Sequence, residues 1–154
     1  MPKERPSALV KAMNYLAARS LSEKELLMKL RKAGYSDMEC DSAIAECVKR
    51  RYLNDEQLTA DCVDILHQRN LGARQIRQKL LRRGLDGEEI SELLESRPED
   101  EEDAARRAME GKLRLLSRET EPRKKREKLF RFMISRGFSP SLVFKLADEM
   151  QELF

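Results

Sequence analysis

The sequence predicts an all-α fold: an elongated, curved array of three tandem three-helix repeats, nine helices in all. Three observations predict it. A helix-like run stops three times at a glycine, an apolar residue and a cap: Gly34-Tyr35-Ser36, Gly84-Leu85-Asp86 and Gly137-Phe138-Ser139. Aligned on those glycines, the apolar positions coincide. Leu26, Ile76 and Leu129 match, as do Leu30, Leu80 and Met133; Cys40, Ile90 and Val143; and Ala43, Leu93 and Leu146. No run alternates polar and apolar with period two, so no strand is expected.

The first helix of each repeat is read from Leu9/Met13/Leu16, Thr59/Val63/Leu66 and Met109/Leu113/Leu116, which recur about every 50 residues at helical spacing. The second helix opens at Leu21-Ser22-Glu23-Lys24-Glu25-Leu26, which supplies a cap, a capping box and a hydrophobic staple. The fourth opens at Leu53-Asn54-Asp55-Glu56-Gln57-Leu58, and the fifth at Leu71-Gly72 with a glycine cap. Each glycine stop suits a left-handed residue just past a helix end. The next residue, Tyr35, Leu85 or Phe138, folds back on Leu30, Leu80 or Met133. The third and sixth helices start with box spacing, Ser36 to Glu39 and Asp86 to Glu89, and the ninth with Ser139-Pro140. Pro98 opens the seventh, ahead of the acidic run Glu99-Asp100-Glu101-Glu102-Asp103. The repeats are placed at 1–53, with a short N-terminal tail, at 54–97 and at 98–154.

Composition narrows the function classes. The chain has 154 residues, 40% hydrophobic and 38% charged, with a formal net charge of +3. That supplies a thin core under a large polar surface. Cys40, Cys47 and Cys62 are odd in number and lack metal spacing, so they read as core thiols in a reducing cytosol. No apolar stretch is long enough for a signal peptide core or a membrane span, so a cytoplasmic protein is expected. His67 is the single histidine and reads as a helix-surface residue. One histidine leaves no parts for a Ser-His-Asp triad, and the glycines form no phosphate-cradling loop. No catalytic residue, metal or cofactor is expected.

Charge distribution carries the functional signal. From Gln68 to Gly84 stand Arg69, Arg74, Arg77, Lys79, Arg82 and Arg83 with no acid; after the acidic block, Arg123-Lys124-Lys125-Arg126 turns basic again. With Ile76 and Leu80 inward, Arg74, Gln78 and Arg82 share the opposite face of the fifth helix. The first repeat puts Lys24, Met28 and Lys32 at those positions, and the eighth helix turns Lys124, Lys128 and Arg131 away from Leu129 and Met133. A stripe recurring with the repeat can track phosphates or acidic side chains, though a solvated helix face looks the same. The aromatics read mostly as staple or core residues, so base stacking is expected to contribute little.

Together these features resemble the RecX family over about Ser7 to Phe154. The resemblance rests on Ser22-Glu23-Lys24-Glu25-Leu26 with Lys29-Leu30 and Gly34-Tyr35, then Tyr52-Leu53-Asn54-Asp55. It continues in Gly72 with Ile76-Arg77 and Leu80, in Arg83-Gly84-Leu85, and in Arg136-Gly137-Phe138-Ser139. The chain departs from the family pattern at Asn54, Leu58, Ala73 and Lys79. The resemblance implies a non-enzymatic regulator of the RecA recombinase. Such a protein binds the RecA–single-stranded DNA filament and inhibits ATP hydrolysis and strand exchange, or promotes disassembly. Direct contact with single-stranded DNA is open, and a monomer is expected. Candidate filament- or DNA-binding residues are Lys24, Lys32, Arg74, Arg77, Lys79, Arg82, Arg83, Lys124, Lys128 and Arg131. The alternatives are a sequence-specific DNA-binding regulator of helix-turn-helix type and a helical protein-binding scaffold. Against the helix-turn-helix, the second helix of each unit is acidic or apolar where a recognition helix needs basic residues.

Overall fold

A computed structural model of the chain describes residues 4–151. Residues 1–3 of the N-terminal tail, and Phe154 among the aromatics, lie outside the described residues. Nine helices and no strand occur among the described residues. They are α1 (Ala8–Ala18), α2 (Glu23–Lys32), α3 (Asp37–Lys49), α4 (Asp55–Gln68), α5 (Ala73–Arg82), α6 (Gly87–Ser96), α7 (Pro98–Leu115), α8 (Pro122–Ser135) and α9 (Pro140–Glu149).

The local grammar read from the sequence forms as hydrogen bonds. Ser22 and Ser36 each accept from the backbone N–H three residues on, and Glu25 and Glu39 reach back to the cap N–H groups. Gly34, Gly84 and Gly137 have φ of 95°, 79° and 98°. After each, the N–H of Tyr35, Leu85 or Phe138 donates to the carbonyl of Leu30, Leu80 or Met133 at 3.2 Å. That is the long bond of a Schellman stop, and it leaves the following apolar residue buried.

The chain divides into two compact units. The first runs to Asp61 and takes back Leu80–Asp86. Its core is Ala8, Ala12, Leu21, Leu26, Leu30, Tyr35, Cys40, Ala43, Cys47 and Leu53. α1 packs on α3 and α2 through alanines, so the buried positions are Ala8 and Ala12. Leu9 and Leu16 are only partly buried and Met13 is exposed, one residue out of the expected register. Burial pushes the Cys40 and Cys47 thiols up, which keeps them protonated core residues.

The second unit holds Cys62–Lys79 and continues from Gly87. Its core joins Ala104, Ala105, Ala108, Met109 and Leu113 of α7, and Leu116 just past it, to Leu129, Met133, Val143 and Leu146 of α8 and α9 and Phe138 of the turn between them. In α6 the buried positions are Ile90 and Leu94, with Leu93 only half-buried. An ionic network ties α7 to α9: Arg106 bridges Glu102 and Glu149, and Lys145 reaches Glu102 at 3.5 Å. His67 corrects the surface reading. It is 4% exposed, and neither ring nitrogen has a hydrogen-bond partner among the described residues. Its position falls on the inner side of α4 because the stripe through Val63 continues to residue 67, with Leu66 left at the edge. Burial lowers its basicity, the nearby Glu101, Asp100 and Asp64 oppose that, and Arg107 adds to it.

Each unit also contains a turn docked on a turn. In the first, the stop after α5 meets the turn before α2: Arg83 donates to the Ser20 carbonyl at 2.9 Å and to Glu25, and the Ser22 hydroxyl donates to the Arg83 carbonyl. In the second, the stop after α8 meets the turn before α5. Gly72 N–H donates to the Arg136 carbonyl at 2.8 Å, and Arg136 donates to the carbonyls of Asn70 and Arg69. Asn70 is left-handed at φ 60°, a conformation asparagine tolerates. The middle helices receive an extra cap at the same places. Asp55 of α4 accepts from Glu23 N–H, and Glu101 of α7 accepts from Ala73 N–H. The acidic run is thus a helix start with one member set to cap α5.

Candidate functional site

α5 presents the cleanest cationic face. Ile76 and Leu80 are buried, which turns Arg74, Gln78 and Arg82 outward one helical turn apart. Lys79 and Arg77 flank that row, and both are exposed. The helix holds no acid. Arg77 donates to the Gly87 carbonyl at 3.1 Å and to the Ser91 hydroxyl, neutral partners that leave its charge uncompensated. Among the described residues, Arg74, Lys79 and Arg82 make no ion pair.

The other candidates divide. Lys24 and Lys32 of α2 are exposed and make no ion pair among the described residues, with Met28 standing 69% exposed between them. The Lys24 stem lies along the turn before α6, where a Cβ built on Gly84 would meet it at 2.6 Å. Its ammonium therefore projects from a fixed stem. On α8, Lys124 pairs with Glu121 at 3.4 Å and Lys128 with Glu119 at 2.8 Å, so part of that field is cancelled locally. Arg131 is exposed and makes no ion pair among the described residues.

Arg83 differs from all of these. Its guanidinium is only 22% exposed and is engaged by Glu25 and Ser20. Burial works to raise the Glu25 carboxyl, but hydrogen bonds from Arg83 and the Ser22 N–H outweigh it and hold the group below the usual glutamate range. The guanidinium so engaged ties the turn after α5 to the turn before α2.

One residue escaped the sequence reading. Phe144, which that reading of the aromatics as mostly staple or core did not single out, is 60% exposed. It stands beside Val143, the buried position, so helical geometry turns it away from the core. The signal was available in the Val143/Leu146 spacing. No helix among the described residues is long and apolar enough to cross a membrane.

Family models for the first and third three-helix domains of RecX match residues 8–47 and 99–146. The regulatory protein RecX of Pasteurella multocida is 31% identical over 134 residues, covering 84% of this chain and 81% of that protein. The regulatory protein RecX of Deinococcus radiodurans is 29% identical over 153 residues, covering 99% of this chain and 72% of that protein. The crystal structure of RecX from Lactobacillus salivarius superposes with a TM-score of 0.84 over 94% of both chains, at 19% identity, a likeness of fold. With three-helix domains at both ends and a relative matched over most of its length, the chain belongs to the RecX family of regulatory proteins.

Proposed function

We propose that this chain regulates a RecA recombinase as a non-enzymatic, cytoplasmic monomer. It binds the RecA–single-stranded DNA filament and inhibits its ATPase and strand exchange, or promotes filament disassembly. The observation that carries the reading is the α5 face. It is a helix without acids, whose exposed arginines and lysine make no ion pair among the described residues. Such a face meets a polyanion or the acidic side chains of a protein coat. We read Lys24, Lys32, Arg74, Arg77, Lys79, Arg82, Lys124, Lys128 and Arg131 as the binding cations and Arg83 as a positioning residue for α5. The repeats at 1–53, 54–97 and 98–154 are part of the same proposal. The exposed acids of α3, Asp37, Glu39 and Asp41, disfavour it as a DNA-recognition helix.

The test is RecA ATPase on single-stranded DNA with the native chain and with Arg74→Glu/Arg82→Glu. Like-charge juxtaposition at an interface costs several kcal/mol, so half-inhibition should need about tenfold more of the double variant, or worse. If phosphates are the partner, the log affinity against log salt slope also flattens by about 1.4. Full inhibition by a folded double variant removes α5 from the interface.

A further inference from the structure

α8 and α9 carry a second feature that the cationic face does not explain. The rings of Phe130 and Phe144 lie with centroids 4.8 Å apart and planes tilted by 43°. They wall a pocket of about 110 Å³ that Leu129 and Val143 floor and Arg126, Ala147 and Asp148 rim. A single exposed apolar residue is ordinary on a protein surface. Here an open ring face, a second ring behind it and an arginine at the rim coincide. α8 itself carries Arg123, Lys124, Lys125, Arg126, Lys128 and Arg131 against one acid, Glu127.

We propose that the Phe130–Phe144 pair is a stacking site for an unpaired base of a single-stranded nucleic acid, with α8 cations running along its phosphates. The proposal rests on the reading that the chain works on a filament containing single-stranded DNA, and it names where a base would sit. Charge complementarity selects the occupant. Glu127, Glu121 and Glu119 pair with Arg123, Lys124 and Lys128, yet six cations against these three acids leave the α8 side net positive, which suits a polyanion. Asp148 on the α9 rim would repel an acidic peptide, but its carboxylate can accept from the exocyclic amino group of a base. Phe144 is 60% exposed, so its ring offers a face on which a base can stack.

The chain holds no tryptophan. Phe144→Trp therefore places a single indole reporter in the site. Titrating it with an oligonucleotide of about 15 nucleotides, long enough for one such site, should quench its fluorescence saturably. Affinity, read by anisotropy of the labelled oligonucleotide, should match the native chain. Phe144→Ala should weaken binding about 5- to 150-fold, the loss of one stacked base. The salt slope should stay unchanged, because no phosphate contact is removed. The site is overturned if the oligonucleotide saturates without quenching, if Phe144→Ala binds like the native chain, if no binding is measurable, or if polyglutamate quenches the indole and the oligonucleotide does not. Should Phe144→Ala misfold, the tryptophan titration still decides. Because the assay contains no recombinase, it can fail while the ATPase reading stands, and the reverse.

Discussion

The two turn-on-turn joints, one in each unit, are built on the same plan from different chemistry. Fifty residues relate them approximately: Ser20 to Asn70, Ser22 to Gly72, Glu25 to Gln75, and Arg83 with Gly84 to Arg136 with Gly137. In the first unit the joint is ionic. Arg83 is held by Glu25 at 2.9 Å, and Ser22 contributes a hydroxyl. In the second unit the carboxylate is replaced by Gln75, whose amide donates to the Ser135 carbonyl at 3.1 Å, and Arg136 is satisfied by backbone carbonyls alone. The hydroxyl is replaced by nothing, because the backbones come closer: Gly72 N–H meets Arg136 O, and Arg74 N–H meets Gly137 O. The plan tolerates either a salt bridge between side chains or close backbone contact. An arginine stands before the glycine stop in both. At the first stop Ala33 precedes Gly34, and the Gly34 carbonyl accepts from Arg5 at 3.1 Å.

The largest effect should come from forcing the second joint to accept a side chain. A Cβ on Gly72 would lie 2.4 Å from the Gly137 carbonyl carbon, a backbone atom that cannot swing away. Gly72→Ala should destabilise the second unit by about 3 kcal/mol, as overpacking does. Ser22→Ala, the matching change in the first joint, removes a cap and a hydroxyl bond and should cost about 1 kcal/mol. Chemical denaturation of both variants checks the ratio. Equal losses would mean that the joints are interchangeable after all.

A smaller effect separates the arginines. Arg83→Ala loses hydrogen bonds to a carboxylate and leaves Glu25 half-buried without its partner, so about 2–3 kcal/mol should be lost. Arg136→Ala loses bonds to neutral carbonyls and should cost about 1 kcal/mol. Glu25→Gln copies the chemistry of the second joint into the first. A double-mutant cycle with Arg83→Ala should therefore return a coupling of about 1 kcal/mol or more. A cycle that closes with no coupling would show that Arg83 is held by Ser20 alone.

The caps and stops were legible in the sequence because each is local: a serine and a glutamate three apart, or a glycine followed by an apolar residue, determine their own hydrogen bonds. The family motif was legible for the same reason. The joints were not, because they pair turns about 60 residues apart in sequence, Ser22 with Arg83 and Gly72 with Arg136. Gly72 was read as a cap, yet its missing side chain serves the close approach of Gly137. Arg83 was read as a binding cation because a basic residue next to Arg82 looks exposed until Glu25 is brought beside it. The α5 face was legible because helical periodicity alone sets it. Phe144 was missed because the aromatics were read as a group, although it falls one position off the Val143/Leu146 stripe.

The smallest effect is in pH, and it distinguishes the two units by the order in which acid loosens them. Glu25 is held below its ordinary value by Arg83 and the Ser22 N–H, against the pull of burial. Its contribution is complete above the unfolded value, about 4.3, and disappears only as pH falls through the lower folded value. The second joint has Gln75 in that place, which does not titrate. That unit instead buries His67, which matches Ala17 in the first repeat. Burial holds its folded value below the ordinary 6.5 or so. Above that pH, both states leave the ring neutral. Below it, the unfolded chain takes up a proton that the folded one refuses, so stability falls from about pH 6.5 downward by at most about 1.4 kcal/mol per pH unit. Glu101, Asp100 and Asp64 nearby soften the loss, and Arg107 adds to it. Hydrogen exchange followed on α8–α9 and on α1–α3 between pH 7.5 and 5 should show the second unit loosening first. His67→Phe should remove that slope while leaving the first unit unchanged. Exchange that rises equally in both units, or a slope that survives His67→Phe, would place the acid-sensitive group elsewhere.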